Sequence, residues 1–264
     1  MEKASGGIQE TTLKATIAYD GGAYVGWQRQ ISGMTVQQRL EDVLKQLAGR
    51  IVTTHGASRT DQGVHALGLV VGWKWDLKRM PVEQLRRALN GLLPADIRVL
   101  KLARAKAGFN ARFDAKWKLY RYRILNRDVA DPFRRAGTWF IFGKMDVKAM
   151  RKAAACFVGK HHFGAFAVNP GYERTSMVRE IRRCLVRSKG DEIQIEVEGN
   201  AFLYKMVRSM VGTLVEVGMG KRPADSIRTL LVSRDRRQAG KTAPPQGLYL
   251  VKVFYRRSAA RVIP

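Results

Sequence analysis

The sequence predicts an α+β fold in two halves, and three observations support this prediction. Some segments place hydrophobic residues at every second position, which is typical of strands, whereas others place them at helical spacing. This pattern ends near residue 110 and starts again after Phe113. A chain of 264 residues with 45% hydrophobic content can also fill a sizeable core. We therefore expect two α+β halves, residues 8–112 and 113–258, with a cleft where their sheets meet.

The first half has a β-α-β-β-α-β outline in which one hairpin is unassigned. Its first strand alternates, and a helix with an apolar stripe begins at Thr35. An apolar strand follows over 64–75, then a helix opened by Pro81 and a strand over 97–102. The alternating set is Leu13, Ala15, Ile17 and Tyr19; the first stripe is Val36, Leu40, Val43, Leu44 and Leu47; the second is Val82, Leu85, Ala88, Leu89 and Leu92.

The second half begins with an alternating strand over 117–125. We expect a helix capped by Asp146, a long helix over about 202–217, a short helix capped by Asp225 and a closing strand over 248–255. The segment Gly218-Met219-Gly220-Lys221 lacks the spacing of a phosphate-binding loop and is interpreted as the end of the long helix. The first helix carries Val147, Met150 and Phe157, and a further strand alternates at Ile193, Ile195 and Val197.

Positive charge dominates the composition. Lys and Arg number 48 against 22 Asp and Glu, which gives a formal net charge of +26. Such an excess favours a polyanionic partner, and basic pairs interleaved with aromatic residues are typical of a folded RNA-binding surface. The basic residues are Arg86-Arg87, Arg121, Arg123, Arg134-Arg135, Arg182-Arg183, Lys221-Arg222, Arg236-Arg237 and Arg256-Arg257, and the aromatic residues are Tyr120, Tyr122, Phe133 and Trp139.

Cysteine content and hydropathy exclude other classes. Cys156 and Cys184 are too few and too far apart for a disulfide framework or a zinc ribbon, so we expect two buried free thiols. No apolar stretch reaches membrane-spanning length, no basic amphipathic helix stands out, and residues 1–7 lack a hydrophobic signal core. The expectation is a cytoplasmic protein without a membrane partner.

The segment from Ala57 to Ala66, with the sequence ASRTDQGVHA, is the most informative in the chain. Asp61 stands in a polar loop that leads into a buried strand, where scaffolds often present reactive groups. An Asp-x-Gly sequence is also ordinary turn chemistry, with the carboxylate accepting hydrogen bonds from its own backbone. The loop alone therefore leaves Asp61 open between a catalytic group and a turn residue.

Five further segments accompany this loop in a characteristic order. They are YDGGAYVGWQRQ at 19–30, FNARF at 109–113 with Tyr120-Arg121-Tyr122, GKHHF at 159–163, FLYKMVR at 202–208 and APPQGLYL at 243–250. In this order and spacing the chain resembles the tRNA pseudouridine synthase A family from Tyr19 to Tyr255. It departs from the family pattern at Ser58, where glycine is usual, at Gln62, where alanine is usual, and at His162, where an acidic residue is common.

The resemblance implies two similar ferredoxin-like β-α-β-β-α-β halves with mostly antiparallel sheets that meet at a central basic cleft. It implies a homodimer that isomerises uridine to pseudouridine at positions 38 to 40 in the anticodon arm of tRNA. This reaction moves the base from N1 to C5 attachment with no atoms gained or lost, so it needs no cofactor and no metal. It needs an ionised carboxylate near the glycosidic carbon, a closed pocket and extraction of the nucleotide from its helix.

By the same resemblance, Asp61 is the catalytic carboxylate, and four residues bind the substrate. Arg208 matches the arginine that pairs with the aspartate, and Tyr120 the tyrosine that lies against the uracil. Arg59 matches an arginine associated with nucleotide flipping, and Leu248 the apolar residue that closes the pocket. From the residues alone, Arg208 could extend from an apolar helix to solvent, Arg59 could contact phosphate, and the other two could belong to the core. Attack by Asp61 on the ribose, attack on the uracil ring and action as a base all remain open.

Two other function classes compete with this interpretation. A basic RNA-binding protein without activity would use the same surface and leave Asp61 dispensable. A metal-dependent nuclease needs clustered carboxylates, and the sequence offers only Asp20 and Asp76 as companions of Asp61. Adjacent His161 and His162 cannot both face one ion and have no third ligand at suitable spacing, so a structural or RNA-contacting role is favoured. No specific role is assigned to these two or to His55 and His65.

Overall fold

The computed structural model describes residues 10–169, 171 and 176–256. Within these residues ten strands form one mixed, mostly antiparallel sheet accompanied by five α-helices. The strands are β1 (Glu10–Tyr19), β2 (His55–Gly56), β3 (His65–Asp76), β4 (Ile97–Arg104), β5 (Trp117–Asn126), β6 (Trp139–Ile141), β7 (Gly159–His162), β8 (Val178–Lys189), β9 (Glu192–Gly199) and β10 (Leu248–Phe254). The helices are α1 (Val36–Ala48), α2 (Val82–Leu92), α3 (Val147–Ala155), α4 (Met206–Gly218) and α5 (Ser226–Ser233). The α+β prediction is confirmed.

The main path of the sheet runs β4-β1-β3-β10-β5-β9-β8-β7, with β2 beside β3 and β6 beside β5. Of this main path, the first half contributes β4-β1-β3 and the second half contributes β10-β5-β9-β8-β7. They join where β10 pairs in parallel with β3, through Tyr249 opposite His65 and Leu250 opposite Ala66. The two sheets are therefore one continuous sheet, and the loop that precedes β3 lies beside elements of the second half.

Most elements of the first half follow from local sequence rules. The four alternating residues of β1 are all buried, as predicted. Thr35 caps α1 by accepting a hydrogen bond from the Gln38 amide, and Gly49 ends this helix in the left-handed region at φ 67°. The unassigned hairpin strand proves to be β2, which has only two residues and pairs with β3.

Several predictions for the second half were wrong in detail. The long helix begins at Met206 and not near Phe202, because Lys205 adopts a left-handed conformation at φ 57°. Helix α3 ends at Ala155, so Phe157 lies beyond it, and the Asp225 side chain makes no capping hydrogen bond to α5. Cys184 is a buried free thiol, whereas Cys156 is only partly buried.

Strand β8 was not predicted, because its hydrophobic alternation is broken. Its register against β9 shifts between Ile181 and Arg183, so the buried positions Ile181 and Cys184 are three residues apart. Its outward side chains are charged and contact acidic residues of β9. Arg183 lies 3.6 Å from Glu196 and from Glu198, and Arg182 also pairs with Glu198. A two-residue period cannot be recognised across such a shift.

Helix α4 passes very close to the segment that leads into β10. A Cβ atom on Gly212 would lie 1.6 Å from the Lys241 carbonyl oxygen, which is backbone and cannot rotate away. The apolar α4 is almost wholly buried, so this approach is fixed by core packing. No helix in the described part of the chain is long and apolar enough to cross a membrane.

We predict opposite effects for two helical glycine-to-alanine changes. Gly212→Ala should lower the free energy of unfolding by roughly 2–3 kcal/mol, because the methyl group displaces the 241–243 segment. Gly91→Ala, at a position in α2 with nothing within 4 Å, should raise it by about 0.5–1 kcal/mol through helix propensity. Urea unfolding of both variants measures the difference, and a neutral Gly212→Ala would contradict the close approach.

Candidate active site

Asp61 lies in the loop between β2 and β3, at the junction of the two halves. Its side chain is one-fifth exposed, and its carboxylate oxygen accepts a hydrogen bond from Arg208 Nη1 at 3.0 Å. The Val64 amide donates to the Asp61 carbonyl, and Gly63 turns the chain with a φ of 75°. The carboxylate is therefore held at the start of β3 by a rigid turn.

The segment 19–30 forms the support beneath this loop. The Trp27 amide donates to the Thr60 carbonyl, and the Tyr19 hydroxyl hydrogen-bonds the Thr60 hydroxyl at 2.8 Å. Two glycines allow the close approach: a Cβ on Gly21 would lie 2.0 Å from the Val64 carbonyl oxygen, and one on Gly26 would lie 2.5 Å from that of Thr60. These two glycines thus allow the 19–30 segment to pack directly against the backbone of the Asp61 loop.

Arg208 reaches the loop from the first turn of α4. Its Nε donates to the Ala243 carbonyl at 2.7 Å while its Nη1 donates to Asp61, and its side chain is only 11% exposed. The Ala243 amide in turn donates to the Arg208 carbonyl. The guanidinium is therefore fixed from two sides, and it orients the carboxylate and balances its charge.

Tyr120 approaches the same loop from the centre of β5. Its hydroxyl lies 2.9 Å from the Ser58 hydroxyl, and its ring packs edge-on against Phe202 with 5.0 Å between the centroids. Burial raises the pKa of Tyr120 to about 12; the negative charge of Asp61 also raises it, against the effect of the Ser58 hydrogen bond. Tyr120 thus stays protonated at neutral pH and is electrostatically coupled to the carboxylate.

Tyr122 shares the strand face with Tyr120 but has a structural environment. It is fully buried, its hydroxyl donates to the Pro244 carbonyl at 2.7 Å, and its ring packs edge-on against Trp139. The Gly247 position lies against this ring, where a Cβ would be 2.6 Å from its carbons. The interpretation of Tyr122 as an RNA-stacking residue is therefore wrong, and Phe133 is the fully exposed aromatic of that predicted set.

The other two predicted binding residues form no hydrogen bond or ion pair with Asp61 in the described part of the chain. Arg59 is exposed, two residues before Asp61 on the same loop. Leu248 is buried at the start of β10, opposite Tyr122 in the adjacent strand. The structure thus joins Asp61 to Arg208 directly and to Tyr120 through the Ser58 loop, with Arg59 and Leu248 on flanking elements.

His65 makes the most contacts of the four histidines, to which the sequence assigned no specific role. It is buried, accepts a hydrogen bond from the Gly21 amide at Nδ1, and places Nε2 3.0 Å from the Gln246 carbonyl. Its ring stacks on Tyr249 with 4.7 Å between the centroids, and Asp20 lies 3.0 Å from Nδ1. His65 therefore connects the two halves at the β3–β10 junction.

The remaining histidines have local contacts. His161 lies within hydrogen-bond distance of the Val158 carbonyl, and His162 accepts from the Gly164 amide. Burial, and then the charge of Arg234, lowers the pKa of His162. His55 is exposed on β2. Among the described residues no group of three or more His, Cys, Asp or Glu side chains is placed to hold a metal ion.

The chain is similar to known proteins of one family. A sequence model of the family described as "tRNA pseudouridine synthase" matches residues 15–114 and 153–256. Proteins named tRNA pseudouridine synthase A are similar: one from Geobacter sp. (strain M21) is 45% identical over 92% of this chain and 98% of its own length, and one from Myxococcus xanthus is 46% identical over 92% of each chain. One from Thermoanaerobacter sp. (strain X514) is 45% identical over 90% of this chain and 97% of its own.

These similarities define an enzyme of the isomerase class. The chain belongs to the tRNA pseudouridine synthase family. A solved structure titled "Crystal Structure of a Cbf5-Nop10-Gar1 Complex" also aligns, at 13% identity and a TM-score of 0.36, over 90% of this chain and 48% of that one.

We predict that the Asp61–Arg208 pair is energetically coupled. Arg208→Met should lower the free energy of unfolding by roughly 2 kcal/mol, because it leaves a mostly buried carboxylate without its cation. Asp61→Asn should cost less, since the amide oxygen still accepts from the guanidinium. When it is combined with Asp61→Asn, Arg208→Met should lower the free energy of unfolding by about 1 kcal/mol less than it does in the parent protein. Strictly additive losses in urea unfolding would contradict this coupling.

Proposed function

We propose that this enzyme converts uridine to pseudouridine in the anticodon stem-loop of tRNA, at positions 38 to 40, without a cofactor. The observation that carries the proposal is the mostly buried Asp61 carboxylate, paired with Arg208 beside the Tyr120 hydroxyl. The position in tRNA, the homodimer and the cytoplasmic location rest on the family resemblance. Sedimentation of an active monomer would contradict the dimer.

Asp61 supplies the negative charge for the central step. The C1′–N1 bond breaks, a C1′–C5 bond forms, C5 loses its proton and N1 gains one, so the atoms balance without an outside reactant. Attack on the ribose, attack on the ring and base catalysis all require this same ionised carboxylate. The fixed guanidinium of Arg208 holds the Asp61 carboxylate in one orientation. The carboxylate is therefore already oriented for reaction when the nucleotide binds.

The other residues hold the nucleotide. Tyr120 lies against the uracil with its hydroxyl protonated, and Leu248 closes the pocket from β10. Arg59, exposed beside Asp61, occupies the space that an extruded nucleotide leaves and so favours flipping. The high positive charge of the chain favours binding of the tRNA backbone.

We also retain the description of residues 8–112 and 113–258 as two ferredoxin-like halves that meet at a basic cleft. The strand orders β4-β1-β3, with β2 beside β3, and β10-β5-β9-β8 support it, because each half then places its fourth strand beside its first. Residues 8–9 and 257–258 lie outside the described residues.

Asp61→Asn should abolish pseudouridine formation and leave tRNA affinity nearly unchanged. The amide keeps the size of the side chain but cannot carry the charge that a nucleophile or base requires. Tritium release from tRNA labelled at uridine C5 measures turnover, and filter binding measures affinity. Asp76→Asn, at the far end of β3, is the matched control. Substantial tritium release by Asp61→Asn would reject the mechanism and favour a non-catalytic RNA-binding protein.

Substitution of the two tyrosines of β5 should have different effects, on catalysis at Tyr120 and on stability at Tyr122. Tyr120→Ala should depress kcat far more than tRNA binding, whereas Tyr120→Phe should keep the ring and lose only the hydroxyl contact with Ser58. Tyr122→Ala should mainly lower the melting temperature, because its ring and hydroxyl are enclosed in the core. Equal losses of stability and activity for both alanine variants would make Tyr120 a core residue as well.

A further inference from the structure

Lys118 lies on β5 two positions before Tyr120 and therefore on the same face of the sheet. Alternate residues of a strand are roughly 6.6 Å apart along the chain, about one nucleotide step from the tyrosine. Its partner in β9 is Gly199. A Cβ there would lie 2.9 Å from the Phe202 ring, the same ring that packs against Tyr120. Lys118 thus borders the proposed base site.

The surroundings of Lys118 are basic. Within the described part of the chain this half-buried side chain makes no hydrogen bond or ion pair, and the charged groups that act on it are Arg112, before β5, and Arg179, in β8. Burial, and then the positive charges of Arg112 and Arg179, lower the pKa of Lys118 to about 8. Lys118 therefore lies in a positively charged environment.

On the opposite face of the same sheet, arginines form ion pairs with glutamates. Arg121 lies 2.8 Å from Glu196, and Arg123 lies 2.8 Å from Glu192, so each charge is balanced within the protein. A half-buried lysine beside like charges is unfavourable in the free protein, and a bound anion removes that cost. For an enzyme that acts on RNA, the available anion is the backbone phosphodiester.

We propose that Lys118 binds a backbone phosphate of the substrate strand next to the nucleotide that lies against Tyr120. This inference rests on the proposed function, because it takes RNA as the substrate. Lys118 acts here as a positioning residue: it holds the extruded nucleotide by its backbone while Asp61 carries out the chemistry. The ligand is a phosphodiester within the RNA, not free phosphate.

The first test compares two lysines on neighbouring strands. Lys118→Met should weaken anticodon-arm RNA binding about tenfold, raise KM similarly and leave kcat within about twofold, whereas Lys118→Arg should stay close to the parent. The slope of log affinity against log salt concentration should become shallower by about 0.7–0.9, which corresponds to the loss of one phosphate contact. Lys252→Met, exposed on β10 and on the opposite face, is the control. Equal effects of Lys118→Met and Lys252→Met would overturn the proposal.

The second test places the contact on one linkage of the RNA. With a neutral methylphosphonate beside the target uridine, the parent should lose about tenfold in affinity and Lys118→Met should lose little more. Independent losses would overturn the assignment. If inorganic phosphate at millimolar concentration competes through Lys118 while the methylphosphonate has no effect, the site binds free phosphate and the proposal also fails.

A pH series on the parent protein keeps the proposal testable even if Lys118→Met folds poorly. Lys118 is charged below its pKa of about 8, and bound phosphate raises that pKa, so affinity is full at pH 7 and falls several-fold by pH 9. Lys118→Arg should remove this fall, because arginine stays charged. The same fall in parent and Lys118→Arg would contradict the proposal. A parent that binds the RNA but forms no pseudouridine would instead refute the proposed function.

Discussion

The contact on which the site depends is the short parallel pairing of β3 with β10. Only two residue pairs form it, yet it is the step in the sheet path that joins the two halves. Asp61 belongs to the first half, whereas Arg208, Tyr120 and Leu248 belong to the second, so the site exists only while this junction holds. His65 reinforces it from within β3, because one ring contacts Gly21 on one side and Gln246 and Tyr249 on the other. A buried imidazole with partners on three elements resists both separation and sliding of the halves.

Around this junction, backbone contacts determine where the carboxylate lies. Gly21 and Gly26 let the 19–30 segment touch the Asp61 loop, and Gly212 lets the 241–243 segment touch α4 near Arg208. Asp61 and Arg208 thus both lie on backbone segments that are closely packed against a neighbouring segment. This packing leaves little freedom for the guanidinium and the carboxylate to move apart, as the catalytic role that we propose for Asp61 requires.

The sequence predicted the elements whose hydrophobic period is regular, such as β1, and those with a capping side chain, such as α1. It did not predict β8, where a register shift and outward arginines hide the period, or the start of α4, which a left-handed Lys205 delays. The ion pair of Asp61 with Arg208 was expected only through the family resemblance, because the partners are 147 residues apart in sequence. The Ser58–Tyr120 contact could not be read from either segment, since a hydroxyl in a loop gives no sign of its long-range partner.

The two faces of the second-half sheet explain how a net charge of +26 can be compatible with a stable fold and a defined RNA site. On the outer face, buried Glu196 and Glu198 lie among arginines from β5 and β8, so many basic residues that look like RNA ligands in the sequence are already balanced. On the inner face, the charge of Arg208 is matched by Asp61, whereas Lys118 lies between like charges. Counting basic residues therefore overstates the binding surface. The positive charge available to an RNA backbone is the part without a carboxylate partner, and Lys118, which we propose to bind a phosphate, belongs to that part.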